Sequence, residues 1–482
     1  MALSFLYWVR RAAAGLGAAF LAAVFATLAL TAMLYAMQSL PRAGITAHIR
    51  SSFTNGALQE HDWLLKNDRL GVDQYDTCLL IQMFFFRGDA WTDTVAPTVI
   101  FNDWPVPLWA DNGSPISECA IARAAAFSDA PFDLYPAQSY FAYSRYLHAF
   151  RLPAYLLLEK FDVGAIRRLY RMLAFGVLVM ILVTQLLLML WRAERADDRP
   201  HEGSHVIQGV FFVMLSLLFM HFYALHFYAP SLTHAPSDIL IFVAIAVVSL
   251  LNIPRTSYRM LCGLSGIFGA LVLALDFLHG ALPLGLAALI GCVAMKAERQ
   301  SSAGQIATAV FLAGSSFVVG AGVALLVKIV TLAVTLGPQA VTGFFVQLNY
   351  RMIGGGFPLS DVWRRLSEHL DVIFFEDVRF SRALLFVTGL VLIVTYGIAL
   401  ACATRASAVQ AHALVLSVLV IGVWYVVFRN HTVIHADPMV RLLVWPLTAT
   451  AGMIIVAVSG VAHRPRGSED RNFGQVGLRL HK

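Results

Sequence analysis

The chain has 482 residues, of which 59% are hydrophobic and only 13% charged, and its formal net charge is +6. Its mean hydropathy is +0.70. A soluble domain carries about 25% charged residues, so this composition excludes a soluble enzyme. The modest positive charge is spread along loops and carries no nucleic-acid signature.

Apolar runs of about 20 residues cross a bilayer as helices. In chain order such runs fall at 12–37, 168–191, 206–226, 238–252, 260–276, 281–295, 305–327, 383–402, 410–428 and 440–461. The expected fold is therefore an all-α polytopic membrane protein with about ten transmembrane helices in a single integral membrane domain. Arg10 and Arg11 precede the first run, and Arg192, Arg195 and Arg199 follow the second. Arg255 and Arg259 separate the fourth from the fifth, Lys296 and Arg299 follow the sixth, and Arg405 follows the eighth. The tail, 462–482, is basic as well. Alternate loops are thus basic, which places them and both termini in the cytoplasm. The first apolar stretch is longer than the core of a cleavable signal, so it reads as a retained helix. The Ala- and Arg-rich composition suggests a bacterial inner membrane with its active face toward the periplasm.

The first outer loop, 38–167, is long enough to form a small subdomain. Residues 74–86 form an apolar helical piece suited to the membrane interface. Residues 137–160 alternate aromatic, basic and aliphatic groups at helical spacing, as an interfacial helix broken near Pro153 would. Segment 88–115, rich in Asp, Trp, Pro and Gly, reads as irregular loop. Cys78 and Cys119 share this loop, in a compartment that permits disulfides; they are either bridged or two buried thiols. A second large outer loop, 328–382, carries Gly354–Gly356 as a flexible joint. It also holds an amphipathic stretch at 360–374 with Ser360 as N-cap.

Polar residues gather at the outer ends of the runs. Asp73 and Asp76 are three apart and would share a helix face. Paired carboxylates there could supply a general base or hold a divalent cation, Mg2+ or Mn2+, which the chemistry admits without requiring. Asp276 and His279 form an outward turn, and an acid closing an apolar span implies a partner. Asn430, His431 and His435 precede Arg441, and the two histidines are four apart, a spacing that suits a phosphate or a metal. No Glu follows His431, so the pattern is not that of a zinc protease. Arg145, His148 and Arg151 could grip an anionic headgroup or snorkel. His221, His226 and His234, with Tyr223 and Tyr228, read as an interfacial belt, and Lys328 as a group reaching the interface.

Three of these motifs together resemble a group of uncharacterised bacterial membrane proteins from surface-polysaccharide loci. They are Asp73-Gln74-Tyr75-Asp76, Asp276-Phe277-Leu278-His279 with Pro283, and Asn430-His431-Thr432-Val433-Ile434-His435 with Arg441. The layout is also similar to the GT-C superfamily of lipid-dependent glycosyltransferases. That resemblance implies a polyprenyl-phosphate-linked sugar as donor and a glycan or lipid as acceptor. It further implies an acid from the first outer loop as base, here Asp73 with Asp76 beside it. His431, His435 and Arg441 would then meet the phosphate, and Asp276 the sugar. A flippase for a lipid-linked saccharide and a non-catalytic envelope scaffold are the competing classes. The first would favour internal repeats and broken helices, and the second would not need clustered Asp and His.

Overall fold

A computed structural model describes residues 2–65, 71–101, 116–193, 203–223, 225, 230–253, 256–276, 280–296, 302–370, 378–402 and 404–462. In chain order the helices are α1 (Ala2–Met37), α2 (Arg42–Thr54), α3 (Tyr75–Phe85), α4 (Ala90–Val95), α5 (Glu118–Phe127), α6 (Arg151–Leu158) and α7 (Val163–Ala193). There follow α8 (Gly203–Phe222), α9 (Ala235–Leu250), α10 (Tyr258–Leu275), α11 (Ala281–Lys296), α12 (Ala303–Leu336) and α13 (Pro338–Asn349). The last are α14 (Leu359–Leu370), α15 (Val378–Cys402), α16 (Arg405–Val427), α17 (Arg429–Ile434), α18 (Ala436–Val440) and α19 (Val444–Ala462). There are also two antiparallel ribbons, β1 (Trp63–Leu65) with β2 (Gly71–Asp73) and β3 (Thr98–Ile100) with β4 (Tyr140–Ala142), and several short 3-10 and π turns.

Among the described residues, seven helices are long and apolar enough to cross a membrane: α1, α7, α10, α12, α15, α16 and α19. The shorter apolar helices α8, α9 and α11 occupy the remaining expected runs. The chain is thus an all-α membrane protein. Helices α1, α10 and α12 approach closely because small residues line their contacts, which lets backbones meet where lipid gives no hydrophobic drive. A Cβ on Gly320 would stand 1.9 Å from the Gly266 carbonyl oxygen, so neither helix can recede without opening the joint. At 34 residues α12 is about 51 Å long, well beyond the hydrocarbon thickness. Its last turns, carrying Lys328, therefore run into the same layer as the long loops.

The loop subdomain has its own core, built from α2, α3, α5, α6 and the start of α7. Helix α3 is its centre, with ten of eleven residues buried. That explains a helix apolar on every side and corrects the interfacial expectation for 74–86. The expected helix over 137–160 is also corrected: the chain forms β4 and then an irregular stretch, and α6 starts only at Arg151. His148 marks the break with φ 54°, a left-handed conformation that stops a helix. Pro153 fits within the first turn of α6, where its missing N–H costs nothing. In the segment 88–115 the described part, 88–101, is more regular than expected, holding α4 and β3.

Cys78 and Cys119 are bridged, tying α3 to α5 across 41 residues with Cα atoms 5.0 Å apart. Closing a loop of that length removes about 4 kcal/mol of unfolded-chain entropy. Replacing both cysteines with serine is expected to destabilise the subdomain by that order, read as a lowered denaturation midpoint in detergent. An unshifted midpoint would show that the crosslink restrains nothing the packing does not already fix.

Candidate functional site

The ends of α9, α10 and α12 meet the loop subdomain, and buried polar groups collect there and at the turns before α17 and α19. Asp76 lies in the first turn of α3, where the helix dipole favours a carboxylate. Asp73 closes β2 opposite Trp63, so the two carboxylates do not share a helix face: the chain changes from strand to helix at Gln74. The Asp73 side chain lies outside the described residues. Asp76 Oδ2 is 2.8 Å from His234 Nε2 just before α9, and both residues are buried. Burial pushes the Asp76 carboxyl up to about 7, with Arg351 opposing the rise. Burial, aided by the positive charge of Arg441, pushes His234 down to about 3. Both shifts disfavour charge, so His234 is neutral near neutral pH and the contact is not an ion pair; Asp76 beside it loses its proton as pH rises through about 7.

One turn along from His234, Asp238 accepts from the Tyr223 hydroxyl at 2.7 Å and from Arg441 Nη1 at 2.7 Å. Arg441 and Asp238 are 0% and 1% exposed as side chains. Arg441, expected to meet a phosphate, thus gives its charge to a buried carboxylate.

His431 and His435 do come together, their ring centroids 4.5 Å apart, although α17 ends at Ile434. Both face Arg351, whose Nη1 lies 3.3 Å from His431 Nδ1 and 2.6 Å from His435 Nε2. Arg351 belongs to a π-helical turn, Tyr350–Gly354. Asn430 secures that turn by donating from Nδ2 to the Tyr350 carbonyl at 2.6 Å. Gly355 completes the joint, since a Cβ there would sit 1.8 Å from Asn430 Oδ1. Within the glycine run, expected to be a flexible joint, Gly355 permits close packing against the Asn430 side chain. The amphipathic helix begins at Leu359 rather than after Ser360.

Arg351 also lines a cavity of about 200 Å³. Arg145, Lys328, Arg351 and Asp276 supply its charges; Leu273, Leu325, Phe344, Leu348, Trp424 and Phe428 form most of its walls. Asp276 caps α10 and accepts from the Leu282 backbone N–H at 3.1 Å, which supplies the partner expected for it. Lys328 donates to the Val95 carbonyl.

His148 and Arg151 do not reach this cavity. His148 Nε2 donates to the Tyr143 carbonyl at 2.6 Å, and burial holds the ring well below its usual value, hence neutral. Arg151 donates to the Asp93 and Thr94 carbonyls at 2.9 and 3.1 Å, closing the C-terminal end of α4. Both are tied by these hydrogen bonds into the framework of the subdomain. His279, His226, Tyr228, segment 102–115 and the tail beyond 462 lie outside the described residues. Among the described residues no group of three or more His, Cys, Asp or Glu side chains gathers to hold a metal ion, so a divalent cation has no assigned ligand set.

Sequence reasoning missed Arg351 and Asp238 and undervalued His234. Asp238 carried a usable signal, an acid at the mouth of an apolar run. Arg351 carried none, because its partners are 80 and 84 residues away. No family model, no curated protein and no solved structure matches the chain.

Proposed function

We propose that the chain is a GT-C-like glycosyltransferase of the bacterial inner membrane. It would have ten spanning helices, both termini in the cytoplasm, and this cavity on the periplasmic side. It would move a sugar from a polyprenyl-phosphate donor to an envelope glycan or lipid acceptor. The observation that carries the reading is the cavity: Arg145 and Arg351, with Lys328 on the same lining, set in apolar walls suit an amphiphile with an anionic head.

In this reading Asp76, bonded to His234, takes the proton from the acceptor hydroxyl. The freed oxygen bonds to the anomeric carbon, and the bond from that carbon to the phosphate oxygen breaks. The electron pair leaves with the lipid phosphate, whose charge Arg145, Lys328 and Arg351 stabilise. Asp276 orients the sugar hydroxyls.

The test follows radiolabelled polyprenyl-phosphate sugar in proteoliposomes with membrane-derived acceptors. Transfer of label to an acceptor, lost in Asp76→Asn, is the expected result. Label that crosses the bilayer unconsumed would make the protein a flippase. An unchanged surface glycan in both Asp73→Asn and Asp76→Asn strains, at matched protein level, would leave a scaffold.

A further inference from the structure

We propose that Arg351 is the residue that receives the anionic head in this cavity, and that His431 and His435 are positioning residues that act through it. The proposal deepens the transferase reading and rests on it for the ligand's biological identity, but the binding site stands on its own geometry.

A guanidinium has donors and no acceptor, so the ring nitrogens facing Arg351 must both accept. Each histidine then carries its proton on the other nitrogen and is neutral. Burial and the neighbouring Arg351 push His435 down to about 3, in keeping with that role. The two rings therefore orient Arg351 without neutralising it. Arg441 differs, because its bond to Asp238 joins charge to countercharge. Among the described residues no carboxylate bonds Arg351.

Two further observations point to an anion. The Nε groups of Arg351 and Arg145 are both buried with no hydrogen-bond partner among the described residues. Both arginines line the same cavity. A phosphate held in the cavity would take charge-assisted hydrogen bonds from both guanidinium groups. Arg351 also continues a wall of the cavity. Phe344, Gln347, Leu348 and Arg351 line it from successive turns of α13 and the π turn, at spacings that share one helical face. The ligand that fits has hydrocarbon against Phe344 and Leu348 and its charge at Arg351.

The test uses full-length protein in nanodiscs and three probes: farnesyl phosphate, farnesol and inorganic phosphate. Arg351→Gln should weaken farnesyl phosphate binding about 30-fold, the scale of a charge-assisted hydrogen bond. Farnesol, which needs only the apolar walls, should bind as before and so report a folded cavity. Arg351→Lys should fall between, because an ammonium keeps the charge but not the fork. His435→Leu should weaken farnesyl phosphate about 5-fold alone and no further in the Arg351→Gln background, the non-additivity expected of groups acting as a unit.

Arg351→Gln binding like wild type, or wild type failing to bind farnesyl phosphate, would overturn the proposal. So would a His435→Leu loss that persists at full size without Arg351, since the histidine would then meet the ligand directly. Inorganic phosphate binding as tightly as farnesyl phosphate would remove the amphiphile. Binding as described with no sugar transfer from any lipid-linked donor would uphold this site and sink the transferase reading instead.

Discussion

Asp76→Asn is expected to lower the rate of sugar transfer by about 10²–10⁴-fold, the range a positioned general base contributes, with little loss of folded protein. The amide keeps the shape and can still bond His234, but it cannot accept a proton. The same carboxyl fixes the sign of the pH dependence. A base works ionised, and burial raises Asp76 to about 7, so transfer should fall as pH drops through about 7. That limb should vanish with the residual activity of Asp76→Asn. Stability runs the other way. A carboxyl raised in the folded state contributes stability fully present below its unfolded value of 3.8 and lost as pH rises through about 7. Asp76→Asn mimics the protonated form, so its thermal midpoint should equal wild type below 3.8, pull ahead as pH rises from there, and hold a constant lead above about 7. A wild-type rate that is flat across pH 5–9, or an unchanged rate in Asp76→Asn, would remove this residue from the chemistry.

The fold was legible wherever hydropathy alone decides structure. Each apolar run became a helix, and the chain's largest errors of reading fall in 38–167, where packing rather than lipid sets the pattern. Helix α3 shows why: an apolar segment looks alike whether it meets the bilayer or the centre of a small domain. The 137–160 segment failed for a local reason, since a left-handed His148 cannot be read from periodicity. The candidate site was half legible. Asp76, Asp276, Asn430, His431 and His435 stood out because polar groups at the ends of apolar helices need partners. Their partners did not stand out. Arg351 and His234 become part of the site only when loops distant in sequence fold together, and Arg441 changed meaning once Asp238 was found bonded to it.

That last pair carries the second large effect. Arg441→Met, or Asp238→Leu, is expected to cost about 3–5 kcal/mol, because each leaves an uncompensated charge in a place without water. The side chains are 0% and 1% exposed, so neither can turn to solvent to relieve it. The pair joins the start of α9 to the turn Arg441–Leu443 that leads into α19. The strain should therefore spread to the 429–440 segment and loosen the histidines that hold Arg351. A lowered thermal midpoint and a weakened farnesyl phosphate affinity are expected together in either single variant. The double variant Asp238→Leu/Arg441→Met should recover much of the midpoint, since apolar side chains can replace a buried ion pair, with the Tyr223 hydroxyl as the group left to reposition. If the double variant is as unstable as the singles, the loss comes from the hydrogen bonds and packing of these residues. Desolvated charge would then not be what ties the last helix to the rest of the site.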